Sequence, residues 1–254
     1  MRPRSLFIVT LVAAGLLNPT VAWARRAGAP AARNGSAASG GLTCSACHSN
    51  STGFTTGGVQ ILNAPPRYNL NRTYNIGVLV QDTVQLGGGF EFSAESTAGD
   101  ALGQLILSDT VNTRFAGSNP AYVTHTSTGV SSGIVGWAAS GNAATFNLQW
   151  KAPAVAAGTV SFYAAGLAIN NNNSSSLDHL YLANQTAVPA SCIKADANND
   201  SFVDGRDIEA FTAALLDPST ATPEAFCASD MDDDGALSDT DTAAFVNTLL
   251  AAGG

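Results

Sequence analysis

Between residues 59 and 184, apolar and polar positions alternate in short runs separated by Gly, Asn, Ser and Thr. Tyr74, Ile76, Val78 and Val80 share one side of such a run, while Asn75, Gly77 and Leu79 take the other. Phe90, Phe92 and Ala94 repeat the period of two, and similar runs lie at 104–108, 121–125, 144–150, 159–166 and 178–183. Successive side chains of a strand point to opposite faces, so this period with turn residues at each boundary predicts strands packed by one face. No long helical period intervenes, and an antiparallel β-sandwich is expected. Trp150 and Phe162 then fill the core. Glu91 and Glu95, opposite in parity to Phe90 and Phe92, line the solvated side. The stretch 170–176, four Asn followed by three Ser, reads as a polar loop.

After residue 190 the period changes. Ile208, Phe211 and Leu215 fall on one face of a helix, and Phe245, Leu249 and Leu250 do the same further on. Pro218 stops the first of these helices. The fold class is therefore mainly β, a sandwich of immunoglobulin-like type followed by a small helical tail.

Charge separates the two parts. The 254 residues carry a net charge of −8, but 13 of the 19 acids lie from residue 191 onward, against Lys194 and Arg206 alone. That tail repels itself unless cations neutralise it. The overall acidity argues against a nucleic-acid partner. At the other end, Met1-Arg-Pro-Arg4, an apolar run from Leu6 to Leu17 and the small residues of Ala22-Trp-Ala24 read as a secretion signal over 1–24. No later stretch reaches the ~20 apolar residues of a membrane-spanning helix, so the mature chain is expected outside the cell, secreted or at its surface, without a transmembrane segment. Residues 25–41, rich in Gly, Ala and Ser, read as a flexible leader.

Within the tail an acidic segment occurs twice. The first runs Asp196-Ala-Asn198-Asn-Asp200-Ser-Phe202-Val-Asp204-Gly-Arg-Asp207, and the second Asp230-Met-Asp232-Asp-Asp234-Gly-Ala236-Leu-Ser238-Asp-Thr-Asp241. Each places oxygen side chains at loop positions 1, 3, 5, 9 and 12 and then enters a helix. Calcium is a hard cation that takes six to eight oxygens, and this alternation turns them toward one point. Position 7, Phe202 or Ala236, supplies a backbone carbonyl. Asp closes each loop where an ordinary EF-hand has Glu. Gly235 provides the sharp turn of the second loop; Ser201 replaces it in the first, which is expected to bind more weakly.

This tail, 192–252, resembles a type I dockerin, with its two calcium loop–helix repeats. The resemblance implies calcium-dependent folding and docking to a cohesin-like partner, often in polysaccharide-associated systems. The family's small hydroxylated contact pair after position 9 is replaced here by Gly205-Arg206 and Asp239-Thr240. Cys192 and Cys227 precede the two loops at nearly equal offsets, and in an exported chain they are expected to form a disulfide.

The other two cysteines lie in Thr43-Cys44-Ser-Ala-Cys47-His48, the spacing of covalent haem c attachment. His125 is then the better candidate for a second axial ligand, since Met231 lies inside a loop and His179 is the remaining choice. A local Cys44–Cys47 disulfide, or a metal held with His125, are the other readings. The motif, together with Gly89-Phe-Glu-Phe-Ser-Ala-Glu95, Tyr122-Val-Thr-His-Thr126, Trp150-Lys-Ala-Pro153 and Val160-Ser-Phe-Tyr-Ala-Ala-Gly166, resembles the bacterial choice-of-anchor V domain, a reeler-like sandwich, here over 42–186. That family implies a fold and a surface location rather than a reaction.

No His-Glu-x-x-His helix pattern occurs. The leading expectation is a non-catalytic exported protein, with a sandwich that binds a ligand and a calcium tail that docks or assembles it. An electron carrier using Cys44, Cys47 and His48 is the alternative, and a polysaccharide-degrading accessory or hydrolase the third.

Overall fold

The alternating segments pair into two sheets. The computed structural model describes residues 28–127, 137, 141–172 and 174–252; the expected secretion signal lies outside them. Ten strands follow in chain order: β1 (Gly57–Leu62), β2 (Arg67–Tyr68), β3 (Thr73–Asp82), β4 (Gly87–Glu95), β5 (Gln104–Ile106), β6 (Thr113–Ala116), β7 (Asn119–His125), β8 (Ala143–Lys151), β9 (Val160–Ile169) and β10 (His179–Pro189). One sheet has the order β1-β3-β8-β5, the other β2-β10-β9-β4-β7-β6. Pairing is antiparallel apart from the short β10–β2 contact.

Register explains the core. Ile76, Val78 and Tyr74 of β3 stand opposite Leu148, Phe146 and Trp150 of β8, and Phe92 of β4 lies opposite Ala164 of β9. Between the sheets Phe90 stacks on Phe146 with ring centroids 4.3 Å apart, and Trp150 meets Phe162 edge-on at 5.0 Å. Trp150 and Phe162 are core residues, as their parity requires. The indole N–H of Trp150 donates to Leu102 O at 2.8 Å, which satisfies the one polar atom it buries.

Two expectations fail on β4. All nine of its residues are buried, and Glu91 and Glu95 are 0% and 2% exposed rather than solvated. The cause is the segment that composition alone marks as a flexible leader. Residues 28–48 lie across the outer face of the six-stranded sheet, tied by Ala29 N to Thr124 Oγ1, Arg33 N to Glu91 Oε2, Asn34 Nδ2 to Ser93 Oγ and Ala38 N to Glu95 Oε2. Small residues let its backbone approach closely enough to donate to the carboxylates. It behaves as a strap.

The tail forms three helices, α1 (Asp207–Leu216), α2 (Pro223–Ser229) and α3 (Asp239–Ala252). Phe211 of α1 stacks on Phe245 of α3 at 3.9 Å, giving the tail a small core with Ala195 and Ala197. Ile208 and Leu250, assigned to that core by periodicity, are exposed, because each repeat contributes its Phe and little else. Cys192 and Cys227 form a disulfide, Cα–Cα 5.9 Å. No helix among the described residues is long and apolar enough to cross a membrane.

Candidate functional site

Both acidic loops fold on the same internal scheme. In the first, the carboxylate of Asp196 accepts from Asp200 N and Ser201 N, each at 3.0 Å, while Asp207 accepts from Asp204 N at 2.9 Å and Asn198 N at 3.1 Å. In the second, Asp230 accepts from Asp234 N at 3.2 Å and Gly235 N at 3.1 Å, while Asp241 accepts from Ser238 N at 2.8 Å and Met231 N at 2.7 Å. The first and last acids of each loop are buried, while Asn198 and Asp200 in the first and Asp232 and Asp234 in the second are exposed. Backbone N–H groups thus hold one set of carboxylate lone pairs and fix the direction of the rest.

Positions 4 and 6 of each loop are left-handed: Asn199 (φ 59°) and Ser201 (φ 73°) in the first, Asp233 (φ 58°) and Gly235 (φ 86°) in the second. Ser201 therefore makes the turn that the sequence suggests only glycine would make readily, at a steric cost. Oxygens of Asp230, Asp232 and Asp234 come within 4.8 Å of one another. Burial pushes the Asp230 carboxyl up to about 6, with Asp241 and Asp233 adding to the rise and Gly235 N–H and Lys194 opposing it. Crowded, oxygen-only donors of this kind fit a calcium ion, which would be held by Asp196, Asn198, Asp200, Phe202 O, Asp204 and Asp207 in one loop and by Asp230, Asp232, Asp234, Ala236 O, Ser238 and Asp241 in the other.

Residues 194–250 match the family described as the dockerin type I domain. The tail is a dockerin-type module. No curated protein matches the chain. Among solved structures, the human F-spondin reeler domain is similar at 15% identity, covering 55% of this chain and 92% of that one, with a TM-score of 0.39. The Reelin-N domain of F-spondin gives 16% identity, 58% and 96% coverage, and 0.41. A structure of the sixth cohesin from Acetivibrio cellulolyticus scaffoldin B in complex with a Cel5 dockerin gives 11% identity, 50% and 98% coverage, and 0.28.

The Cys-Ser-Ala-Cys-His motif lies on the strap. Cys44–Ala46 forms a 3-10 turn, and Thr43 caps it by accepting from Ser45 N. Cys44 is 9% exposed and packs on Ala165, Leu167 and Leu180, with its Sγ 3.6 Å from Arg33 O. Burial pushes this thiol up to about 12. Cys44 and Cys47 are not joined to each other, so the local disulfide reading does not describe this structure. His48 Nδ1 sits 2.6 Å from Asp178 Oδ2, which fastens the motif to the start of β10.

Covalent haem needs both thiols turned to one broad apolar space and a second axial nitrogen facing it. Instead Cys44 is sunk against the sheet, and the cavities bordered by Asn69 and by Arg114 include none of these residues. His125 stands over Gly89, where a Cβ would fall 2.3 Å from the ring, and its Nδ1 accepts from Phe90 N at 3.2 Å. That bond places the proton of the neutral ring on Nε2 and leaves neither nitrogen a free lone pair with which to ligate. Burial pulls the imidazole down to about 4. The residues do not fit a covalent haem, and no redox step is derived from them.

The sequence missed a second buried acid–histidine cluster. Asp82 Oδ2 lies 2.6 Å from both His179 Nδ1 and Tyr181 OH and accepts from Thr56 Oγ1 at 3.1 Å. Phe54 stacks on His179 with centroids 3.5 Å apart. With Val84 N and Gln85 N also donating to Asp82 Oδ1, the carboxylate is saturated and serves to close one end of the sandwich. Period-two parity could have flagged Asp82 as inward-facing, since it shares a side with Val80.

Proposed function

We propose that the chain is an exported, non-catalytic protein whose C-terminal repeat binds two calcium ions and docks a cohesin-like or surface-bound partner, while the β-sandwich serves as a binding module outside the cell. The observation that carries this reading is the duplication itself. Two segments 34 residues apart share three of the four backbone hydrogen bonds around a buried first and last Asp. A merely solvated acidic surface has no reason to repeat it, whereas cation ligation requires it. The family match over 194–250 supports the docking role and the extracellular setting.

Calcium would neutralise charge that otherwise opposes folding of the tail. Around the loops, Arg206 and Asp239 at the helix starts are exposed, and Thr240 Oγ1 bonds to Asp232 and Ser238. A partner that reads these starts must therefore accommodate one cationic and one acidic position. The test is circular dichroism of the purified full chain with and without chelator. Helical signal should fall on chelation and return with calcium, while the β signal and the aromatic near-ultraviolet bands of Trp137 and Trp150 persist. Full helicity in chelator, with no calcium taken up, would sink the reading.

A further inference from the structure

The two loops share an internal design but not their surroundings. The first is open, with Phe202 at its centre 66% exposed. The second sits on the sandwich. Asn71 Nδ2 donates to Asp233 O at 2.8 Å, and Asn71 itself holds a left-handed φ of 58° to present that amide. Arg72 Nη2 donates to Pro218 O at 2.8 Å, and its guanidinium lies 3.8 Å from the centroid of the Phe226 ring. Arg67 pairs with Glu224 at 3.0 Å.

Gly235 gives the sharpest evidence. A Cβ there would lie 2.5 Å from Asn71 C and 2.6 Å from Arg72 N, both backbone atoms that cannot swing aside. The turn alone does not demand glycine, because Ser201 makes the same turn at the matching position of the first loop. Glycine is needed at 235 because the sandwich backbone occupies the space a side chain would take. Beside this contact lies a cavity of about 60 Å³, bordered from the sandwich by Asn69 and Leu70 and from the tail by Asp230 and Asp233. Asn69 is 3% exposed, and neither atom of its amide has a partner. The volume suits one or two water molecules linking that amide to the loop.

We propose that the sandwich segment 67–72 is a receptor for the second calcium loop, so that the cation at Asp230–Asp241, and not the one at the first loop, governs attachment of the tail to the sandwich. The inference rests on the calcium reading above. Asn71 and Arg72 are positioning residues: Asn71 binds the backbone of the loop at Asp233, and Arg72 holds Pro218 O and the Phe226 ring of the helical segment that leads into it. By linkage, whatever the ordered loop gains from the sandwich, the ion gains in affinity.

The test is calorimetric calcium titration of the full chain, paired with small-angle X-ray scattering in calcium and in chelator. Asp207→Asn and Asp241→Asn assign the two binding steps. Asn71→Gly, which keeps the left-handed backbone and removes the donor, combined with Arg72→Met, should weaken the second step about tenfold, within the range typical of coupled sites, and leave the first unchanged. Gly235→Ser should enlarge the calcium-saturated chain, whereas Ser201→Gly should not. Unchanged affinity at both steps in Asn71→Gly/Arg72→Met, with wild-type dimensions for Gly235→Ser, overturns the receptor while leaving calcium binding intact. Absence of any calcium step in the wild-type chain overturns both readings. The thermal transition of the sandwich controls for folding of each variant.

Discussion

Two of the places where the protein buries carboxylates resolve the cost in opposite ways. In the tail, Asp196, Asp207, Asp230 and Asp241 accept from backbone N–H groups of their own loop, and oxygens of Asp230 converge with those of Asp232 and Asp234. On β4, Glu91 and Glu95 are equally buried, but they face a strap of neutral backbone: Glu91 accepts from Arg33 N, with its second oxygen unpartnered, and Glu95 accepts from Ser93 Oγ and Ala38 N. Burial pushes Glu91 up to about 7 against the relief offered by the Arg33 and Ala32 amides. The crowded oxygens of the tail suit a cation; the burial on β4 favours the protonated form of Glu91. Burial of acid is thus no sign of a metal site, whereas convergent aim is.

The largest effect should come from removing a converging ligand. Asp241→Ala deletes a carboxylate that takes two backbone N–H bonds, and it should weaken calcium uptake at the second loop at least a hundredfold. The combined loss of ligation and charged hydrogen bonds is about 4 kcal/mol. Titration of the variant beside Asp207→Ala checks this; equal and near-wild-type affinities in both would erase the contrast between tail and strap.

Next in size is Glu91→Gln. Because the folded pKa is raised from 4.5 to about 7, the glutamate's contribution is full below pH ~4.5 and is lost as pH rises toward 7, leaving a penalty of about 3 kcal/mol at pH 8. His125 acts in the other direction: its pKa is lowered from 6.5 to about 4, so its contribution is full above pH ~6.5 and is lost as pH falls toward 4. The two slopes oppose each other between pH 4.5 and 6.5 and flatten the wild-type profile. Glu91→Gln should therefore stabilise the sandwich at pH 8 and unmask a stability that climbs with pH from 4 to 6.5. Denaturant titration at pH 5 and pH 8 decides it, and a profile parallel to wild type would show that Glu91 ionises freely.

The smallest effect is expected for Cys44→Ala. The thiol packs against Ala165, Leu167 and Leu180, so its loss should cost about 1 kcal/mol in urea unfolding. A cost above 3 kcal/mol would give the motif a role beyond packing.

Much of this architecture was legible in the order of residues. Ile76, Val78 and Val80 announced the inner face of β3, and the 12-residue spacing of the acids announced both loops, because each signal is local. Helix α2 was missed although Thr222-Pro223 marks its start: Thr222 Oγ1 accepts from Ala225 N, and proline occupies the first turn. Strands β2 and β6 are too short to show a period. The burial of Glu91 and Glu95 could not be read from β4 at all, since parity assigns a side but not what covers it. The covering segment is Gly- and Ala-rich, a composition that denotes freedom until a partner surface supplies hydrogen bonds. The role of Gly235 was half legible: its turn was local, its contact with Asn71 and Arg72 was not.

The strap also orders events in time. Its anchors join Ala29 to Thr124 and Arg33 to Glu91, across 95 and 58 positions of chain. A segment that leaves first from any machine delivering the polypeptide N-terminus foremost must wait, unsettled, until β7 has arrived and registered with β4. Contacts of such separation are slow to close. The outer layer of the sandwich is thus expected to set slowly, and the newly emerged cysteines of the motif stay open to solvent chemistry for as long as that takes.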